Sequence, residues 1–346
     1  MRSKVSRRRI LTFDIVSRGS RDARPPRWLR VHRTAMACRF EVTLLAEDAV
    51  HVDAARAALD EADRVEALLT VFRPESELSR VNQRAADGFP DMDDVDEELW
   101  ALLSRAAGLH DQTDGAFDIT STPLSRCWGF LHRSGALPSD EAIASARALV
   151  GMSGVTFEGP RRIRFGRPGG ELNLNAIGKG YALDQMGAVL RRRGVPRVLV
   201  SVGRSSVLAV GGPAGGWPID LESPQTRRPH LARIYLRDGA LGTSGAGEQF
   251  IVVDGTRYGH VIDPRSGRPA RGVLSASVIT SDAADADALS TAFLVGGPEL
   301  AARYCLEHVD TMALLTLDDG TDLTRVFGSY AGALVELGSS SHDSYT

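Results

Sequence analysis

Asn173-Leu-Asn-Ala-Ile-Gly178-Lys179-Gly180-Tyr181 passes from a strand-like stretch straight into a helix. Apolar spacing carries that helix over residues 177–193, and Gly194 stops it. A helix start offers backbone N–H groups and the positive end of the dipole, so with Lys179 beside them the segment can face a phosphate. It is not a Walker A loop, which needs glycine at 173 and Ser or Thr after the lysine, where this chain has Asn173 and Gly180. On residue types alone, the segment suits an anion site or an ordinary helix entry with a solvated lysine.

Upstream, residues 39–45 alternate as a strand, and residues 52–69 repeat apolar side chains at helical spacing through Ala55, Leu59, Ala62, Val65 and Leu69. Residues 94–109 predict a second helix, acidic in its first turn and apolar at Leu99, Leu102, Leu103 and Ala106. Ser139 caps a short helix over 139–150, and residues 155–157 and 163–165, split by Gly159-Pro160, read as a hairpin or adjacent strands. Downstream, strands dominate: 198–210, 219–222, 233–237, 249–253, 257–262 and 274–280, with Asp254-Gly255 as a hairpin turn. A helix after Asp285 runs through Leu289, Ala292, Phe293 and Val295, breaks at Gly296-Gly297-Pro298 and resumes to Cys305. Residues 312–317 form a last strand. Helices packed against mixed or antiparallel strands, with no internal repeat, make the expected class α+β.

The chain has 346 residues, 43% hydrophobic and 25% charged, with 35 glycines and three cysteines, which excludes a collagen, a largely disordered protein and a disulfide scaffold. Its net charge of −3 gives no global field for nucleic acid or an anionic membrane, so any anion must be held locally. Lys4 and Lys179 are the only lysines among 41 basic residues. Either the site around Lys179 needs a compact ammonium rather than a planar fork, or the lysine is a chance survivor of an arginine-biased composition. Cys38, Cys127 and Cys305 form no CxxC pair, so a reducing compartment fits. Ser6-Arg7-Arg8-Arg9 and Ala35-Met36-Ala37-Cys38 look like export signals, but Asp14, Arg18, Arg21 and Asp22 interrupt the apolar stretch both would need. The expectation is a basic tail over 1–27, a folded unit over 28–330, a flexible tail over 331–346 and no transmembrane segment. A cytoplasmic location follows, and export or membrane association follows instead if the true N-terminus lies elsewhere.

Two further segments carry chemistry. Asp287 and Thr291 are four residues apart on one helical face, an oxygen pair suited to Mg²⁺ or equally to a capped helix start with a backbone-bonded threonine. His260 lies near a strand end in Tyr258-Gly-His260-Val-Ile-Asp263-Pro264-Arg265-Ser266-Gly267. There an imidazole can accept a proton near neutral pH or serve a structural role.

Taken together, the segments resemble the ApbE family, the Mg-dependent FAD:protein FMN transferases. Met36-Ala-Cys-Arg-Phe40 is similar to the family's MGTxF strand, and Phe72-Arg-Pro-Glu-Ser-Glu-Leu-Ser-Arg-Val-Asn82 to YxPxSExSRLN. Gly115-Ala-Phe-Asp118 resembles GAFDPTVGPL, with Trp128-Gly-Phe130 following, and residues 172–184 resemble DLGGIAKGYAVD. Thr243-Ser244-Gly245 looks like the TSG turn, residues 260–267 like HIIDPRTG, and residues 287–292 like the ADALSTA helix. Seven such segments in order span most of the chain.

The resemblance implies an ApbE-like, T-fold-type architecture with an FAD cleft between two lobes. It further implies that the Asp287 carboxylate, the Thr291 hydroxyl and the Ala176 carbonyl hold Mg²⁺. Met36, Phe72, Ala116, Phe117, Asp118, Asn173, Lys179, His260 and Ile262 would line the FAD pocket, with His260 as general base. The FMN moiety of FAD would pass to a Ser or Thr hydroxyl of an acceptor flavoprotein, releasing AMP; FAD hydrolysis to FMN and AMP, or FAD binding without turnover, are the alternatives. The chain departs from the family pattern at Asn173, where Asp is usual, at Gly203-Arg204-Ser205 in place of Gly-Gly-Asp, and at Ile119-Thr120-Ser121 after Asp118.

Overall fold

The computed structural model describes residues 27–88, 91–130, 137–159, 161–222, 231–246, 249–253, 255–319 and 324–338. Eight strands form one antiparallel sheet: β1 Trp28–Ala35, β2 Cys38–Leu45, β3 Val198–Val202, β4 Ser206–Val210, β5 Gly239–Gly245, β6 Val273–Thr280, β7 Met312–Leu317 and β8 Thr324–Gly328. Their order across the sheet is their order along the chain, so every excursion returns beside the strand it left. The largest excursion, between β2 and β3, carries α1 Val52–Leu69, α2 Glu77–Ala86, α3 Glu97–Gln112, α4 Thr122–Cys127, α5 Asp140–Arg147 and α6 Gly178–Arg192. Between β6 and β7 runs α7 Ala283–Glu307, bent at Gly297, whose φ of 75° breaks the helix before Pro298.

Both faces of the sheet are covered, which is why its inner strands β3, β4 and β7 read as nearly unbroken apolar runs rather than as a clean alternation. On one face, Phe40, Val42, Leu44, Val198, Val200 and Val202 meet α1, α6 and α7. On the other, Leu199, Leu241, Ile279 and Leu314 pack on Trp217, Ile219, Ile234 and Leu236, from the three-stranded sheet Trp217–Leu221, Ala232–Leu236 and Ala333–Leu337. A separate small core of Leu124, Trp128, Phe130, Ile143, Ile251 and Ile262 ties α4 and α5 to the hairpin Phe250–Val253/Thr256–Gly259. Alanines at 54, 55, 58 and 62 make α1 a thin, buried face that lets α6 lie close against it.

The structure corrects several expectations. Residues 198–210 are two strands, because Gly203, at φ 57°, turns the chain between two equally β-rich halves. Thr243-Ser244-Gly245 is the end of β5 rather than a turn. The flexible tail expected from residue 331 is overturned at Ala333–Leu337, an edge strand whose partners in Ala232–Leu236 lie a hundred residues away. Residues 28–35 lie outside the expected strands, yet Leu29 and Val31 alternate with the exposed Arg30 and His32 as an edge strand does, and the segment pairs along its whole length with β2. Residues 1–26 and 339–346, and Asp254 of the expected hairpin turn, lie outside the described residues. Among the described residues no disulfide joins the cysteines, and no helix is long and apolar enough to cross a membrane.

Candidate active site

At their N-termini α6 and α7 touch backbone to backbone. A Cβ on Gly180 would stand 2.0 Å from the Ala283 carbonyl oxygen, and one on Gly242, in β5, 2.3 Å from that of Ala286. Only residues lacking a Cβ permit this approach. The two helices then exchange caps. Asp184 of α6 accepts from the Ala283 and Ala284 N–H groups (2.8 and 2.9 Å), at a helix start where Asp282, the residue in the capping position, makes no side-chain cap. Asp287 of α7 accepts at Oδ2 from the Gly180 N–H (3.1 Å), in the first turn of α6. Each carboxylate satisfies N–H donors that the other helix cannot satisfy itself.

Burial pushes the Asp184 carboxyl up to about 6, against the downward pull of its two backbone donors. A carboxyl raised in the folded state adds stability below its unfolded value of 3.8, and that stability is lost as pH rises through about 6. Lowering the pH from 7 to 5 should therefore shift stability in favour of the wild type relative to Asp184→Asn by about 1 kcal/mol. Paired urea titrations measure the difference, and a gap independent of pH would show that Asp184 does not titrate in this window.

Further along α6, the Tyr181 hydroxyl donates to Glu98 Oε1 (2.6 Å), and Glu98 also takes two nitrogens of Arg64 (2.5 and 2.8 Å). The Arg64 guanidinium holds the Glu98 carboxyl below the usual carboxylate range, while burial and that carboxylate push the Tyr181 phenol up. The helix is thus tied to α3 and α1, and its N-terminus is held in place.

A cavity of about 280 Å³ opens where these helix starts face the small core. Asn173, Ala176, Lys179, Asp287 and Thr291 line it together with His260 and Ile262 and with Phe117 and Asp118. Three other residues expected at the site lie elsewhere. Met36 packs by its Cε against Gly178, Ala116 is buried and does not line the cavity, and Phe72 is 78% exposed on the α1–α2 connection.

The polar groups of the cavity are organised. Asp287 Oδ1 accepts from Lys179 Nζ (3.3 Å) and Ser206 Oγ (3.1 Å). Thr291 Oγ1 lies 3.0 Å from Ser244 Oγ. Asp118, buried, accepts from the Thr120 N–H and hydroxyl (2.7 and 2.5 Å) and faces His110 Nδ1 at 3.5 Å. Asn173 Oδ1 accepts from the Asn175 N–H (2.9 Å), a local turn that a carboxylate would make equally well. His260 Nδ1 lies 3.2 Å from the Gln249 carbonyl, which can only accept, so the hydrogen is assigned to Nδ1 and Nε2 is the basic nitrogen of the neutral ring. Phe130 stands edge-on to it.

Sequence reading missed Ser206, Ser244 and Gln249. Ser206 carried a signal: a hydroxyl heading the otherwise apolar Val207-Leu-Ala-Val210, and 1% exposed.

A model of the ApbE family matches residues 36–315, four-fifths of the chain. The chain belongs to the ApbE family. Similar members include the FAD:protein FMN transferase of Klebsiella pneumoniae (strain 342), 30% identical over 282 residues that cover 79% of this chain and 80% of the relative. That of Vibrio cholerae is 30% identical over 259 residues, covering 73% and 76%. Among solved structures, the ApbE protein of Thermotoga maritima superposes with a TM-score of 0.75 at 28% identity, covering 90% of this chain and 97% of that one. The flavin transferase ApbE of Vibrio cholerae gives 0.71 at 26%, covering 91% and 98%. The α+β class with antiparallel sheets is the ApbE fold.

Proposed function

We propose that the protein transfers the FMN moiety of FAD to a Ser or Thr hydroxyl of an acceptor protein, with Mg²⁺ at Asp287, Thr291 and the Ala176 carbonyl. The observation that carries this reading is that one cavity gathers those oxygens, Lys179 and His260 from three separate segments of the chain. The oxygen donors fit the cation. Ala176 precedes the cap of α6, whose first helical bond runs from the Tyr181 N–H to the Ile177 carbonyl (2.9 Å), so the Ala176 carbonyl lies outside the helical ladder. A carboxylate, a hydroxyl and a carbonyl are hard oxygen donors, and Mg²⁺ takes few protein ligands and fills the rest of its shell with water and phosphate oxygens. Bound there, Mg²⁺ would neutralise charge on the diphosphate.

The protein's own groups supply the rest. Phe117, Ile262 and Phe130 give an apolar surface for a flavin ring, and Lys179 stands on the wall where a diphosphate would lie. His260 Nε2 takes the proton of the acceptor hydroxyl as its oxygen bonds to the FMN phosphorus. The bond from that phosphorus to the bridging oxygen breaks, and the oxygen leaves with AMP. Incubation with FAD, Mg²⁺ and an acceptor carrying an Asp/Ser/Thr-rich target segment should give a covalently fluorescent acceptor band and equimolar AMP. AMP without acceptor would instead mean hydrolysis, and FAD retention without AMP a binding protein. His260→Ala should lower the transfer rate about 10²- to 10⁴-fold while FAD affinity changes little. An unchanged rate removes His260 from the chemistry.

A further inference from the structure

Asp287 is the acidic group on the α6–α7 wall, its side chain 3% exposed, and a carboxylate so buried requires a counter-charge. Lys179 provides it: Nζ lies 3.3 Å from Oδ1, the oxygen that Ser206 also contacts, while Oδ2 is engaged by the Gly180 N–H. The ammonium is thus the only charged partner among the three donors. Its contact is longer than a tight charge-assisted bond, and its side chain is 25% exposed on the cavity side, so the four-carbon stem can swing without disturbing α6.

We propose that Lys179 and a divalent cation compete for Asp287, with Lys179 released by the metal toward the anionic part of the substrate. The proposal rests on the assignment of Asp287 to the metal made above. Two cations against one buried carboxylate repel each other, so metal binding requires the ammonium to move away. An anion in the cavity gives the displaced ammonium a new partner, and the metal and the anionic substrate then each favour binding of the other, reciprocally. In this light the retained lysine is intelligible: a mobile point charge can leave, where a planar guanidinium able to hold both carboxylate oxygens would be harder to displace.

Mn²⁺ binding followed by electron paramagnetic resonance, with no FAD present, tests the competition. Lys179→Gln should bind Mn²⁺ about tenfold more tightly than wild type, and Lys179→Arg no more tightly than wild type. Equal or weaker binding by Lys179→Gln overturns the proposal. Asp287→Ala separates this failure from failure of the functional reading: if it leaves Mn²⁺ affinity unchanged, the metal assignment itself is wrong. The wild-type protein gives a second measurement that needs no substitution, since Lys179 and Lys4 are its only lysines. Acetylation of Lys179, read by mass spectrometry, should accelerate on adding Mg²⁺ and slow again when FAD joins it. A rate that falls or stays constant with Mg²⁺ overturns the proposal independently.

Discussion

Asp287→Ala should lower the rate of FMN transfer about 10³-fold or more while costing only about 1–3 kcal/mol of stability. The two numbers separate because the carboxylate has two roles. As a cap it satisfies one backbone N–H and one hydroxyl, those of Gly180 and Ser206, while Lys179, 25% exposed, keeps access to water. The substitution therefore leaves two polar groups short of a partner, an ordinary loss for a domain of this size. As the single carboxylate proposed for the metal it has no substitute, since the remaining oxygens, a hydroxyl and a carbonyl, are neutral. Asp287→Asn keeps the size and one acceptor oxygen and should recover much of the stability but little of the rate. Fluorescence of the covalently labelled acceptor measures the first quantity and urea unfolding the second. A variant that folds normally and transfers within tenfold of wild type would remove Asp287 from the reaction.

How much of this could be read from the sequence depends on how far apart the interacting residues are. Helices α1, α3, α6 and α7 were legible because their signals are local: an apolar stripe, a cap, a terminating glycine. The candidate site residues were expected for a different reason, the resemblance of their short segments to the ApbE family, since on residue types alone each segment also fitted a structural role. The exchange of caps between α6 and α7 was not. Asp184 and Ala283 are 99 residues apart, and in the sequence Asp184 looks like any polar residue one turn into a helix. Ser206 was missed because a single hydroxyl at the head of an apolar strand acquires its meaning only when Asp287 arrives above it from α7. The strand Ala333–Leu337 illustrates the same limit, as its apolar residues are half exposed and its order comes from pairing with Ala232–Leu236 rather than from burial.

Gly178 and Gly180, two residues apart in the first turn of α6, should respond oppositely to alanine. Helix propensity alone predicts that both substitutions stabilise, by up to about 1 kcal/mol. Neither glycine has a positive φ, so backbone strain does not distinguish them. Their neighbours do. A Cβ at 178 would meet the Met36 Cε at 3.5 Å and Leu69 Cδ1 at 3.7 Å, ordinary contacts with flexible side-chain ends. At 180 it would meet the Ala283 carbonyl oxygen at 2.0 Å and the Ala284 Cα at 2.8 Å, both backbone, so no rotamer change relieves the overlap and the helices must part. Parting them stretches the Gly180–Asp287 bond and the two Asp184 caps together, because all three cross the same interface. Gly178→Ala should therefore remain within about 1 kcal/mol of wild type, and Gly180→Ala should lose about 2–4 kcal/mol after the propensity gain is set against the overlap. Metal affinity distinguishes the two further, since only the second moves Asp287 relative to Ala176. Equal stability of the two variants would mean that the helix starts do not meet at this distance, and the shared capping that positions the cavity would fall with it.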